Sequence, residues 1–190
     1  MKKIFTLLTV ALISTAAMAQ STWKVDKAHS RLQFTITHLL VSDVDGRFKD
    51  FDVTITAAKP DFSDAKITLV AQTASVDTDN ERRDTHLKSA DFFDVTKNPT
   101  LNFTSTGITT VGTGKYKLTG NLTLNGVTKP VTMDLWHRGT VTGQNGKENA
   151  GFKVTGTIKR SDFGFGSKYT SPTLSDEVVI TANGEFGKAS

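Results

Sequence analysis

The chain has 190 residues, 23 Lys and Arg against 19 Asp and Glu, a formal charge of +4 and no cysteine. The missing thiol excludes a disulfide framework, thiol catalysis, a zinc–thiolate site and a cysteine-linked lipid anchor. No run of Lys or Arg is interleaved with aromatics, which excludes the concentrated positive surface that nucleic acid binding requires. In chain order, Lys2 and Lys3 precede a mostly apolar stretch from Ile4 to Ala16 that is too short to span a bilayer, and Ala17-Met18-Ala19 has the small-x-small form of a cleavage site. Residues 1–19 therefore read as a signal peptide and 20–190 as one domain. Removing those 19 residues with their two lysines leaves 171 residues at a net +2, enough for one hydrophobic core.

The remainder alternates with period two. Leu32, Phe34, Ile36 and His38 share one face of a strand, with Arg31, Gln33, Thr35 and Thr37 on the other. Ile67, Leu69 and Ala71 form the next series, followed by Leu101 with Phe103, then Tyr116, Leu118, Gly120, Leu122 and Leu124. Val131, Met133, Leu135 and His137 come next, then Phe152, Val154, Gly156 and Ile158, and last Val178, Ile180, Ala182, Gly184 and Phe186. Threonine and lysine on the opposite face mark sheets wet on one side. Asn125-Gly126 and Asn145-Gly146 are hairpin signals, because a tight turn needs positive φ at its centre. Pro60, Pro99, Pro130 and Pro172 fall near segment ends. About eight strands with hairpin-length connections predict an all-β fold, an up-and-down barrel or a sandwich.

One stretch, about 79–94, breaks the alternation. Thr78 and Glu81 have capping-box spacing, predicting a short helix to about Lys88, with Ser89 capping a second turn through Phe93. This insertion is expected as a plug or lid at one end of the sheet. Arg83, His86 and Lys88 lie in its charged run, which reads either as a solvated helix face or as a contact for a ligand head group. None of the four histidines, His29, His38, His86 and His137, falls in a metal-ligand spacing, and no nucleophile elbow occurs. Trp23 is expected at the closed end or in ordinary core, Trp136 on the outer wall or under a loop, and Phe92, Phe93, Phe163 and Phe165 at a rim or under loops. Small inward residues (Ala71, Gly120, Gly156, Ala182, Gly184) either leave volume for a slender apolar guest or mark bulges in a filled core. The pattern alone does not choose.

Several strings together resemble the YceI-like, polyisoprenoid-binding family over essentially all of residues 20–190. They are Trp23-Lys24-Val25-Asp26 with His29-Ser30, the strand ending in His38, and Gly46-Arg47-Phe48 with Phe51. Arg83 to Lys88 with Asp91 to Asp94, Leu118 to Thr123 with Gly126-Val127-Thr128, and Arg160 to Gly164 complete the set. The resemblance implies a lipocalin-like, extended eight-stranded antiparallel β-barrel in the periplasm. It implies a long isoprenoid or similar amphiphile along the interior, binding without catalysis, no metal and no cofactor beyond that lipid. A homodimer is compatible with it.

The expected lining is Phe34, Ile36, Leu69, Phe103, Leu118, Leu122, Met133, Leu135, Val154, Ile158 and Ile180, with Ala71, Gly120, Gly156 and Ala182 making room. Head-group candidates are His38, Arg83, His86 and Lys88. Two rival expectations accompany this one. A lipid-modifying enzyme would need a mouth histidine beside a nucleophile. A structural or adaptor barrel would have a filled core.

Overall fold

The computed structural model describes residues 20–144 and 146–189. The expected signal segment and Asn145 of the second hairpin signal lie outside those residues. Ten antiparallel strands form one sheet: β1 (Ser21–His38), β2 (Ser42–Phe48), β3 (Phe51–Ala57), β4 (Lys66–Gln72), β5 (Val76–Asp77), β6 (Thr100–Gly112), β7 (Lys115–Leu124), β8 (Val127–Thr142), β9 (Glu148–Lys159) and β10 (Leu174–Lys188). Pairing of β1 with β10 closes the sheet into a barrel.

The ten strands make eight staves. β2 pairs with the Leu32–His38 half of β1 and β3 with the Ser21–Lys24 end, so the two continue one another along a single neighbour. β4 pairs with β3 and the short β5 with β2, which breaks the next stave in the same way. Neighbours otherwise follow chain order, the up-and-down layout that alternating segments and short connections predict. Among the described residues every strand has a partner on both sides except the short β5, which pairs with β2 alone, so closure removes nearly all edge.

Alternation puts the apolar face inside. Along β7, Tyr116, Leu118, Gly120, Leu122 and Leu124 are buried, while Lys115, Lys117, Thr119 and Asn121 are exposed. Asn125 (φ 52°) and Gly126 (φ 74°) occupy the left-handed region in the β7–β8 turn, as their sequence signal requires. Trp136 lies 43% exposed on the outer wall under the Arg138 guanidinium.

The insertion is one helix, α1 (Glu81–Lys88), and its cap differs from expectation. Asn80, not Thr78, accepts from the Arg83 amide at 3.0 Å. Thr78 instead donates its amide and hydroxyl to Asp84, at 2.9 and 2.5 Å. After Ser89 the chain makes the expected turn, with the Asp91 amide donating to the Ser89 hydroxyl at 3.3 Å and the Phe92 amide to the Ser89 carbonyl at 3.1 Å.

Candidate functional site

The inward faces of the staves enclose a cavity of about 410 Å³. Its wall is almost entirely hydrocarbon and extends from Ile55, Phe152 and Phe186 at one end to His38, Phe92 and Leu174 at the other. Phe34, Ile36, Leu69, Phe103, Leu118, Leu122, Met133, Leu135, Val154, Ile158, Ile180 and Ala182 border it. A filled core is therefore overturned, and the adaptor expectation built on it falls.

Three of the small residues do not make the room expected of them. Ala71 is fully buried in the wall and does not border the cavity. A Cβ on Gly120 would meet the Phe103 ring at 2.4 Å and the Thr104 carbonyl oxygen at 2.6 Å. One on Gly156 would meet the Met133 sulfur at 2.0 Å. Large neighbours already occupy the space those glycines leave. The cavity arises from the width of the barrel, whose opposed inward side chains do not meet across the axis.

One end is sealed. The loop between β3 and β4 folds Phe62 under the barrel, where its ring lies 5.2 Å from Trp23, 4.9 Å from Phe152 and 4.6 Å from His137 between centroids. Phe62 holds φ at 61°, a left-handed conformation costly for a residue with a Cβ. Asp64 accepts from the Ala58 and Lys59 amides at 2.9 and 3.1 Å, and the Tyr116 hydroxyl donates to the Asp61 carbonyl, so the loop is fixed. Burial lowers the His137 pKa, favouring a neutral ring among these aromatics. Trp23 is thus part of the closed end, with Phe62 as the plug, a role that one phenylalanine among polar loop residues did not signal.

The other end joins packed rings to polar contacts: Phe92 lies 5.1 Å from Tyr169 and 5.6 Å from Phe165 between centroids, and Phe93 lies 4.6 Å from Phe165. Arg160 is 5% exposed and borders the cavity. Its guanidinium donates to the carbonyls of Ser175 (2.8 Å), Gly166 (2.8 Å), Phe165 (3.1 Å), Leu174 (3.3 Å) and Tyr169. A planar fork with five donors can hold such a loop together; a lysine could not. Beside it, Arg83 donates through Nε to the Thr78 hydroxyl and through Nη2 to the Thr78 carbonyl, both at 2.8 Å. Among the described residues no carboxylate lies within ion-pair distance of either arginine. Arg83 and His86 border both the cavity and an outer hollow formed with Asn80 and Arg82. His38 borders the cavity from β1. Lys88, in the last turn of α1, does not. Phe92, Phe93 and Phe165 border the cavity, whereas Phe163 is buried beside it.

The His86 Nε2 lies 3.1 Å from the Tyr169 hydroxyl and 3.4 Å from Asp91. The Lys168 ammonium, with His86 behind it, holds the Asp91 carboxyl below its ordinary pKa. Both contacts use the same ring nitrogen. A relay places the carboxylate on one nitrogen and the nucleophile on the other, and that arrangement is not formed here. Away from the mouth, Asp26, His29 and Glu185 hold ligand-type atoms within 4.8 Å of one another, all exposed. They sit at a bulge where β1 carries four residues, Lys27–Ser30, against Gly184 of β10. Asp26 accepts from the Ala28 amide (2.9 Å) and contacts His29 (2.8 Å), closing the bulge and raising the His29 pKa.

The sequence matches the family model described as YceI-like domain over residues 23–186. A UPF0312 protein of Serratia proteamaculans is 40% identical over 179 residues, 93% of each chain. The crystal structure of a Campylobacter jejuni YCEI protein superposes with a TM-score of 0.76 at 37% identity, covering 81% of this chain and 90% of that one. A polyisoprenoid binding domain from Saccharophagus degradans shares the fold at 15% identity, with a TM-score of 0.65 over 90% of this chain and all of that one. With the family model spanning residues 23–186 and a relative 40% identical over 93% of both chains, the barrel belongs to the YceI-like family.

Proposed function

We propose that this protein is a periplasmic carrier that encloses the chain of a long isoprenoid lipid, such as a polyprenol or isoprenoid quinone, or of a similar amphiphile. The carrying observation is polarity that changes along one axis: hydrocarbon walls throughout, a closed end of packed rings, and Arg83, His86 and His38 gathered at the other end. Such a shape suits a molecule with one apolar tail and one polar head, inserted tail first. Each buried methylene contributes ~0.8 kcal/mol. About a dozen therefore supply ~10 kcal/mol before ordering costs, so affinity comes from the tail and the head sets direction. The basic start and apolar run of residues 1–19 support export to the periplasm. The solved domain named for polyisoprenoid binding supports the ligand class through its shared fold.

The test is native mass spectrometry of protein purified without detergent, followed by solvent extraction. An added mass that extraction removes and identifies as a long-chain amphiphile is the expected result. The bare chain mass, with no uptake of added geranylgeraniol, would overturn the proposal.

A further inference from the structure

The β1–β2 turn departs from the chemistry of the other turns. Leu39, Leu40 and Val41 follow one another and are 50%, 63% and 82% exposed. Leu39 (φ 52°) and Leu40 (φ 61°) both lie in the left-handed region. In the same barrel, Asn125 and Gly126 meet a similar pair of angles with the residues that tolerate them best. At Leu39-Leu40 the chain accepts both an unfavourable backbone and exposed aliphatic surface. Strain of this kind, held where neither packing nor solvent rewards it, points to an external contact.

The position of the turn identifies the contact. His38 precedes it, and the Leu39 amide donates to the Thr173 carbonyl at 3.1 Å. His38, Thr173 and Leu174 all border the cavity, so a hydrocarbon chain leaving the mouth emerges beside three aliphatic side chains. Between Gln33 and Gly46 there is no Lys or Arg, and the only acids are Asp43 and Asp45. Their carboxylates accept from Thr37 and Thr35 at 2.8 and 2.6 Å on the outer face. The turn therefore offers hydrocarbon and no formal charge of its own, which suits the apolar boundary of a bilayer; the cations of the mouth, Arg82 and Arg83 on α1 and Lys168, stand on other elements.

We propose that Leu39–Val41 is a membrane-contacting tip that enters the hydrocarbon boundary of a bilayer and brings the cavity mouth against it. This inference rests on the carrier reading for its purpose, since lipid then passes between barrel and bilayer without crossing water. Three aliphatic side chains give a weak, reversible hold, as a carrier that must leave again requires.

The test compares the wild type with the double variant Leu39→Asn, Leu40→Gly, and with Val41→Ser should the double variant fail to fold. Asn and Gly fit the left-handed angles, so the double variant is expected to melt no lower than wild type. Its cosedimentation with phosphatidylcholine vesicles is expected to fall about tenfold, as is the rate at which preloaded geranylgeraniol moves to those vesicles. Its affinity for geranylgeraniol in solution is expected to stay unchanged. Equal vesicle binding and equal transfer rates in both proteins would overturn the tip. So would loss of self-association in the variant, by sedimentation velocity, with vesicle binding unaffected; the turn would then contact a second copy. If neither protein takes up geranylgeraniol, the carrier reading fails, while vesicle binding still decides the tip.

Discussion

The two ends of this barrel are closed by different physics. At the Phe62 end, rings from four parts of the chain pack tilted or edge to face and a fixed loop holds them in place. At the α1 end, rings of Phe92, Phe93 and Phe165 also pack, but Arg160, Arg83 and His86 bind carbonyls and hydroxyls among them, and the His86 side chain is half exposed. Apolar packing in a water-excluded cluster has no substitute partner in solvent. Hydrogen bonds at the exposed side of His86 can exchange with water at small net cost, whereas those of buried Arg160 cannot. The barrel thus has one end closed by rings alone and one whose closure depends on a buried guanidinium beside a partly wet rim.

Substitutions at each end test that contrast, beginning with the plug. Phe62→Ala removes the ring that Trp23, Phe152 and His137 pack upon, and should cost about 3–5 kcal/mol in denaturant unfolding. Arg160→Met leaves buried carbonyls of residues 165–175 without donors and should cost about 2–4 kcal/mol. Hydrogen exchange in that variant should rise in residues 164–174 and stay unchanged around Phe62. Lysine at 160 should restore only part of the loss, having three donors in place of five.

In the wall between the ends, Gly120→Ala should destabilise by about 1–3 kcal/mol, since the Thr104 carbonyl beside the new Cβ is backbone. Gly156→Ala should cost less, because the obstructing Met133 thioether is the far part of a flexible side chain. Thermal melts of the two variants give the ranking.

The smallest effect is a pH dependence below the mouth. Arg47, bonded to Asp77 at 2.7 Å between β2 and β5, lowers the Asp77 pKa from 3.8 to about 2. A carboxyl depressed by folding stabilises the native state above its unfolded pKa, and that contribution disappears as pH falls from about 4 to 2. Urea midpoints of the wild type should therefore drop over that interval more steeply than those of Arg47→Gln.

Much of this was legible in the sequence, for a specific reason. A side-chain period of two cannot shift register without turning Leu32, Phe34 and Ile36 to solvent, so alternation fixed both the staves and most of the cavity wall. Asn125-Gly126 announced its turn through the angles it must adopt. The breaks between β2 and β3 and between β4 and β5 leave only a shift of phase, from Phe48 to Phe51 and from Ala71 to Val76, and a shift of phase alone does not tell a broken stave from an ordinary turn. Inward glycines misled, since their effect depends on which neighbour, Phe103 or Met133, reaches into the gap. Arg160 reads as a surface charge at a strand end until the loop that wraps it is known. Leu39 and Leu40 carry no turn signal and would otherwise read as more strand.

The central claim is a tail-first hydrocarbon site with a sealed floor. It is tested most directly by quenching of Trp23 fluorescence in a Trp136→Phe background, using stearate spin-labelled either near its methyl end or near its carboxyl. Stronger quenching by the methyl-end label is predicted, because Trp23 lies at the closed end beside Phe62 and Phe152. Equal quenching by the two bound probes, or stronger quenching by the carboxyl-end label, would contradict it.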